Sequence, residues 1–414
     1  MKRIVLLTIL SFFTTYNMVA KTVCVGDFVF TVISDSILSN EYGFNHISQS
    51  YVELSGFKSG AEDRTDIVIP SKIIVDEQKY RVIAIGSCAF EKNESIETVK
   101  ISNGIRKIGS FVFSCCYNLR DIKLPNSIRY VGPFSLSDCV SLKSISLPTR
   151  VNYLGERAFE FCKRLESVEL PNGLSNVGDS CFRGCYSLKN IKLPSSLTEI
   201  SFCMFINCKS IESICLPKRL RKINSYAFDC CTSLSAIDIP ANVEMIDDYA
   251  IYRCHNLEKI TASKNGKRYY AKGNCLIDKK SETIILGCQA SIIPTDEEVK
   301  YIGSSAFYAI NNLRSIVIPS NILEIGDGSF FRCYELENVT LSEGLKKIGS
   351  QAFGSCVKLT KPNIPTSVIS IEDDAFRKIN PDIPAIYVTM PDGSKMYLNK
   401  SDDADLEEPW LDGL

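Results

Sequence analysis

Leu154 to Pro171 reads LGERAFEFCKRLESVELP, and the same pattern returns along the chain every 23 residues. Its leading aliphatic aligns with Ile85, Ile108, Val131, Val177, Ile200, Ile223 and Ile246, and the phase resumes at Ile302, Ile325, Ile348 and Ile371. Five positions further on, Phe159 aligns with Phe90, Phe113, Leu136, Phe182, Phe205, Phe228, Ile251, Phe307, Phe330, Phe353 and Phe376. Twelve rows in one register are the mark of a solenoid. No row can bury its own apolar side, so neighbours must stack to make a core.

The remaining columns have physical readings. After the leading aliphatic come Gly86, Gly109, Gly132, Gly155 and Gly178, then Ser201, Asn224 and Asp247, then Gly303, Gly326 and Gly349, a mixture expected at a tight turn with positive φ. Small residues such as Ala89, Ala158 and Ala227 precede the aromatic column, so that one coil approaches the next while the ring fills the interior. The second half of a row, for example Leu119 to Pro125, separates apolar residues by polar ones and closes on proline. It predicts one short strand per row, ended by a residue that lacks a ladder donor. Stacked rows then place parallel strands about 4.8 Å apart.

The pattern I-G-x-x-A-F-x-x-C-x-x-L-x-x-I-x-L-P resembles the BspA-type leucine-rich repeat over about residues 82–378. The resemblance implies an α/β-type repeat solenoid, mostly β: a right-handed leucine-rich-repeat solenoid with a parallel sheet on the concave face and β-rich terminal caps. It also implies exported or surface-displayed proteins of host-associated microbes, often taken to be adhesins or protein-binding modules.

The expected organisation is a signal peptide at 1–20, an N-terminal cap with an irregular first repeat at 21–81, and leucine-rich repeats at 82–261. Irregular inserted repeats follow at 262–298, then leucine-rich repeats at 299–378 and a C-terminal hairpin cap with an acidic tail at 379–414. Lys2 and Arg3 before the apolar run Ile4 to Phe13, with Ala20 ahead of Lys21, have the form of a secretory signal. That run is too short to span a bilayer, and no later one is long enough. Within the irregular segment, Cys275 to Asp278 and Thr283 to Leu286 flank the polar turn Lys279 to Glu282 and predict a hairpin. The segment is either a stretched coil that bends the solenoid or a dedicated binding loop. Gly26 to Ser36 reads as a strand that pairs with Tyr51 to Leu54, and Pro391-Asp392-Gly393 as the turn of the last hairpin.

An exported chain with 18 cysteines first points to a disulfide scaffold. Their phase opposes it. Cys116, Cys139, Cys162, Cys185, Cys208, Cys231, Cys254, Cys333 and Cys356 share one column, eight residues after the leading aliphatic. Side chains in such a ladder point the same way, so buried free thiols are expected, each a small hydrophobe with a weak donor for the turn backbone. A Cys275–Cys288 bridge stays open.

Enzyme chemistry finds little material. There are 2 histidines, no C-x-x-C pair, no glycine-rich phosphate loop and no distinctive carboxylate pair, so no catalytic residue, metal ligand or cofactor is expected. A net charge of -1 argues against a nucleic-acid partner. What remains is the strand face, where residues between inward aliphatics form basic and acidic bands: Arg120, Lys123 and Lys143, then Glu166 and Glu169, then Lys189 and Lys192. These are the candidate partner-binding residues. They fit a secreted or cell-surface, monomeric module for protein binding or adhesion, with an extracellular or host surface protein as partner. The alternatives are a scaffold without a specific ligand and a glycan-binding module.

Overall fold

The computed structural model describes residues 21–33, 50–360, 362–380, 387–389, 393 and 395–397. The expected signal peptide and the acidic tail lie outside the described residues.

Most rows form two strands, where one was expected. A two-residue strand sits at the leading aliphatic, as in Tyr130–Val131, Tyr153–Leu154 and Asn176–Val177. A longer one sits at L-x-x-I-x-L, as in Ser144–Ser146, Ser167–Glu169 and Asn190–Lys192. Both stack in parallel on the equivalent residues of the next row, so that Leu154 faces Val177 and Val168 faces Ile191. Two residues are too few to show alternation, which is why the first strand escapes a sequence reading.

Between the two strands runs a series of turns, and no helix occurs among the described residues. The α/β part of the expected class is therefore corrected to a mostly-β solenoid. The reason lies in two left-handed positions per row, for example Arg157 (φ 54°) and Phe161 (φ 56°), which no right-handed helix accommodates. These turns bond within the row at alternate N–H groups, such as Glu160 N–H to Arg157 O at 3.1 Å, and the groups between bond to the next row. Arg157 N–H donates to Asp179 O at 2.9 Å, Phe159 N–H to Cys181 O at 2.9 Å and Phe161 N–H to Arg183 O at 2.7 Å. The buried backbone is thus satisfied by turn bonds and stacking together rather than by helix formation.

The glycine column has a different cause from the one expected. None of Gly86, Gly109, Gly132, Gly155 and Gly178 has a positive φ. At Gly155 an added Cβ would lie 2.3 Å from Pro133 N, and at Gly178 2.3 Å from Glu156 N. Close approach of successive rows, not turn conformation, selects glycine here. Where Ser201 replaces it, the backbone bond is lost and Ser201 Oγ donates to Val177 O at 2.6 Å in its place. The short-strand sheet breaks at that row, resuming as a separate sheet from Glu199–Ile200.

At the N-terminal end, β1 (Thr22–Val25), β2 (Phe28–Val32) and β3 (Ser50–Phe57) pair antiparallel in order. β4 (Asp66–Ile69) starts the long-strand stack, and β5 (Lys72–Val75) forms a hairpin with β6 (Gln78–Ile85), which β3 joins in parallel. The irregular segment is an antiparallel meander of Tyr269–Lys272, Cys275–Asp278 and Thr283–Leu286. Its middle strand is buried throughout and divides two cores: Leu276 packs into the first, Cys275 and Ile277 into the second. Tyr387–Thr389 and Lys395–Tyr397 make an antiparallel pair around Gly393 (φ 83°), as the turn sequence predicts.

Candidate functional site

All seven candidate residues are exposed on the long-strand face, because Ile122, Ile145, Val168 and Leu188 turn inward and are buried. Lys143, Glu166 and Lys189 follow one another up a single column: Glu166 N–H donates to Lys143 O at 2.8 Å and Lys189 N–H to Glu166 O at 3.0 Å. Glu169 and Lys192 are direct partners in the parallel pair of their strands. Three of the seven are engaged locally. Arg120 pairs with Glu97 at 2.7 Å, Lys123 with Asp121 at 3.8 Å, and Glu169 accepts from Ser146 Oγ at 2.7 Å. Among the described residues, Lys143, Glu166, Lys189 and Lys192 take part in no ion pair. The register thus presents a plus–minus–plus column whose charges are displayed to solvent.

The cysteine column is a working part of the turn structure. All 18 cysteines are free thiols. Each of the nine column members donates Sγ–H to the carbonyl of the aromatic-column residue one row back: Cys116 to Phe90 O at 3.2 Å, Cys162 to Leu136 O at 3.1 Å, Cys333 to Phe307 O at 3.1 Å. In the first row Asn93 occupies the position, and its Nδ2 reaches Glu62 O at 2.8 Å. Burial drives the thiols away from ionisation, pushing Cys116 and Cys333 up to about 12, so they are not nucleophiles. Cys275 and Cys288 are also buried free thiols, bonded to separate carbonyls. Beside the column, His255 Nδ1 meets Ala309 O at 2.8 Å. Among the described residues no group of three or more His, Cys, Asp or Glu side chains could hold a metal ion. No helix there is long and apolar enough to cross a membrane.

A second face escaped the sequence reading. The turns carry aromatic and guanidinium side chains in adjacent rows: Phe111 stacks on Phe134 at 4.6 Å, Arg157 lies over Phe134 at 5.3 Å and Arg183 over Phe161 at 5.4 Å. Further along, Tyr226 stacks on Tyr249 at 5.5 Å, with Phe202 and Tyr249 exposed by 44% and 43%. Glu160 is buried beside the two arginines, 3.4 Å from Arg183 Nη1 and 4.0 Å from Arg157 Nε. Burial raises its carboxyl above the usual range, and the two guanidinium groups pull it part of the way back. The signal was present at the positions two, three, six and seven after the leading aliphatic, columns that vary too much to attract notice.

The family model of the BspA type leucine-rich repeat region matches in six copies, over residues 71–182, 155–275 and 283–387. A leucine-rich repeat protein from Bacteroides ovatus is 23% identical, with a TM-score of 0.61, over 87% of this chain and 93% of that one. A leucine rich cell surface protein from Faecalibacterium prausnitzii is 24% identical, with a TM-score of 0.62, over 87% of this chain and 88% of that one. At such identity these likenesses show the fold alone. No curated protein matches.

Proposed function

We propose that this chain, which belongs to the BspA-type leucine-rich repeat family, is an exported, non-enzymatic module that binds an extracellular or host surface protein along its long-strand face. The coil is read as right-handed with that face concave, and the antiparallel strands at either end as caps. The observation that carries the reading is the column Lys143, Glu166, Lys189. Its charges stand exposed on a hydrogen-bonded ladder, so they are preorganised, and binding costs them little ordering. Alternating sign at ladder spacing selects a partner of complementary pattern more than it adds affinity. Export accords with the secretory form of residues 1–20, and the cell-surface role with the family.

The test uses the chain beginning at Lys21 and a partner captured from host surface proteins, followed by surface plasmon resonance at two salt concentrations. Glu166→Lys with Glu169→Lys, and separately Lys189→Glu with Lys192→Glu, should each weaken binding by about tenfold or more while leaving the thermal melt unchanged. Parent-like binding by both variants would overturn the strand-face reading. Failure of the chain to retain any partner would favour a scaffold role.

A further inference from the structure

Five cations converge on a concavity of 310 Å³ beside the first rows: Lys72, Arg81, Arg106, Arg129 and Arg150, with no carboxylate in its lining. They come from separate parts of the chain. Lys72 and Arg81 are direct partners across the β5–β6 hairpin. Arg106 and Arg129 occupy one column, just ahead of the short strands Lys107–Ile108 and Tyr130–Val131, and Arg129 N–H donates to Arg106 O at 2.8 Å. Arg150 enters from the following row.

Folding does not ask for this arrangement. Like charges placed opposite one another in a sheet are destabilising, and the Lys72–Arg81 pair, which faces the hollow, is one such case. Beyond Arg129 the same column carries Asn152, Ser175 and Thr198, and where arginine returns, Arg221 meets Glu244 at 3.5 Å. Among the described residues, Lys72, Arg81, Arg129 and Arg150 belong to no ion pair. The wall that brings the parts together is also specific. Gly104 (φ 117°) turns its loop against Ser71 of the hairpin, and its N–H is held by Ser127 Oγ at 2.9 Å while that hydroxyl donates to Ile105 O at 2.6 Å. The exposed Asn103 amide beside it stands at the rim.

We propose that this concavity binds a group bearing a tetrahedral oxyanion, a phosphate or sulfate ester. Arginine forks match such oxygens two at a time, whereas a hollow whose charged residues are all cations repels a metal ion. The volume admits a charged group on a carrier of about monosaccharide size. This site shares no residue with the strand face, so either reading can fail alone.

Isothermal titration calorimetry on the chain beginning at Lys21 tests it with five probes: inorganic phosphate, inorganic sulfate, N-acetylglucosamine 6-phosphate, N-acetylglucosamine 6-sulfate and unmodified N-acetylglucosamine. The charged probes should bind, more weakly at high salt, and the neutral sugar should not. Tighter binding of the esters than of the inorganic ions assigns the site to a carried group, and equal binding to the free oxyanion. Arg129→Gln with Arg150→Gln should lower affinity at least tenfold, and the ligand-free variant should melt no lower than the parent, because a repulsion is removed. Arg221→Gln should bind as the parent does. Absence of binding by all four anions, or an unchanged affinity in the double variant, would overturn the proposal.

Discussion

The row from Ile223 to Pro240 and the segment from Lys264 to Glu298 solve the same problem, a buried backbone, in opposite ways. In the regular row one residue type per column does one job and translation repeats it: Phe228 stacks on Phe205 at 5.5 Å, and Cys231 Sγ–H reaches Phe205 O at 3.2 Å. In the irregular segment each need has its own answer. Arg268 holds Asp278 with two donors at 3.1 and 2.9 Å, Lys279 Nζ donates to Gly266 O at 2.7 Å, and Ser291 Oγ to Asn274 O at 2.6 Å. The turn ladder stops at the junction. Ala306 O would accept from Ile251 N–H in a regular stack, and accepts instead from Gly287 N–H at 2.7 Å. Repetition makes a fold cheap to specify and legible; a break in it must be built from unique residues, and those are legible only locally.

The comparison is broken most severely by alkali. The nine column thiols are buried, and burial raises all of them, Cys116 and Cys333 to about 12. The unfolded chain releases thiol protons near 9, the folded one later, so above pH 9 the unfolded state binds fewer protons and stability falls as pH rises. Each thiol costs about 1.4 kcal/mol by pH 10, and nine together cost on the order of 10 kcal/mol. Urea melts from pH 7 to 10.5 should show this collapse. Cys208→Ala with Cys231→Ala should make it shallower by about two thiols' share, and an unchanged slope in that variant would place the thiols outside the linkage.

A smaller effect separates ring column from meander. Phe159→Ala and Phe228→Ala should each cost about 3–5 kcal/mol, since both rings are fully buried within stacks. Tyr270→Ala in the irregular segment should cost about 1 kcal/mol or less, because that ring is partly exposed and its cation neighbour Lys279 is 5.7 Å away. Denaturant midpoints read both. Equal losses would mean that the meander is packed as the rows are.

Legibility followed repetition closely. The period, the interior Phe column, the free thiols and the hairpin at Cys275–Leu286 were all readable, because each rests on spacing or local turn chemistry. The left-handed positions were not, since they are held by Phe111, Arg157, Cys203 or Tyr226 rather than glycine, and only bonds to neighbouring rows keep them there. The seven strand-face residues were placed on one face by alternation alone. The cations around Arg106 and Arg129 were missed for a different reason: a chain-wide charge of -1 averages away a cluster drawn from a hairpin and three rows.

The smallest effect concerns two buried carboxylates held differently. Asp278 receives two guanidinium donors from Arg268 and the Lys280 N–H at 2.9 Å, whereas Glu160 has Arg183 and Arg157 only at 3.4 and 4.0 Å. Desolvation therefore dominates at Glu160 and raises its carboxyl above 4.5 in the folded chain. With the folded value above the unfolded one, the native state holds the proton longer. Stability from this group is greatest below pH 4.5 and falls as pH climbs through the folded value. The slope stays under about 1.4 kcal/mol per pH unit, because one proton is involved. Urea midpoints between pH 4 and 7 should flatten in Glu160→Gln, and a further part of the fall belongs to Asp138, whose carboxyl burial also raises. If Glu160→Gln keeps the full slope while Asp138→Asn removes it, Arg157 and Arg183 hold Glu160 as firmly as Arg268 holds Asp278, and the contrast between the two regions does not extend to their buried charges.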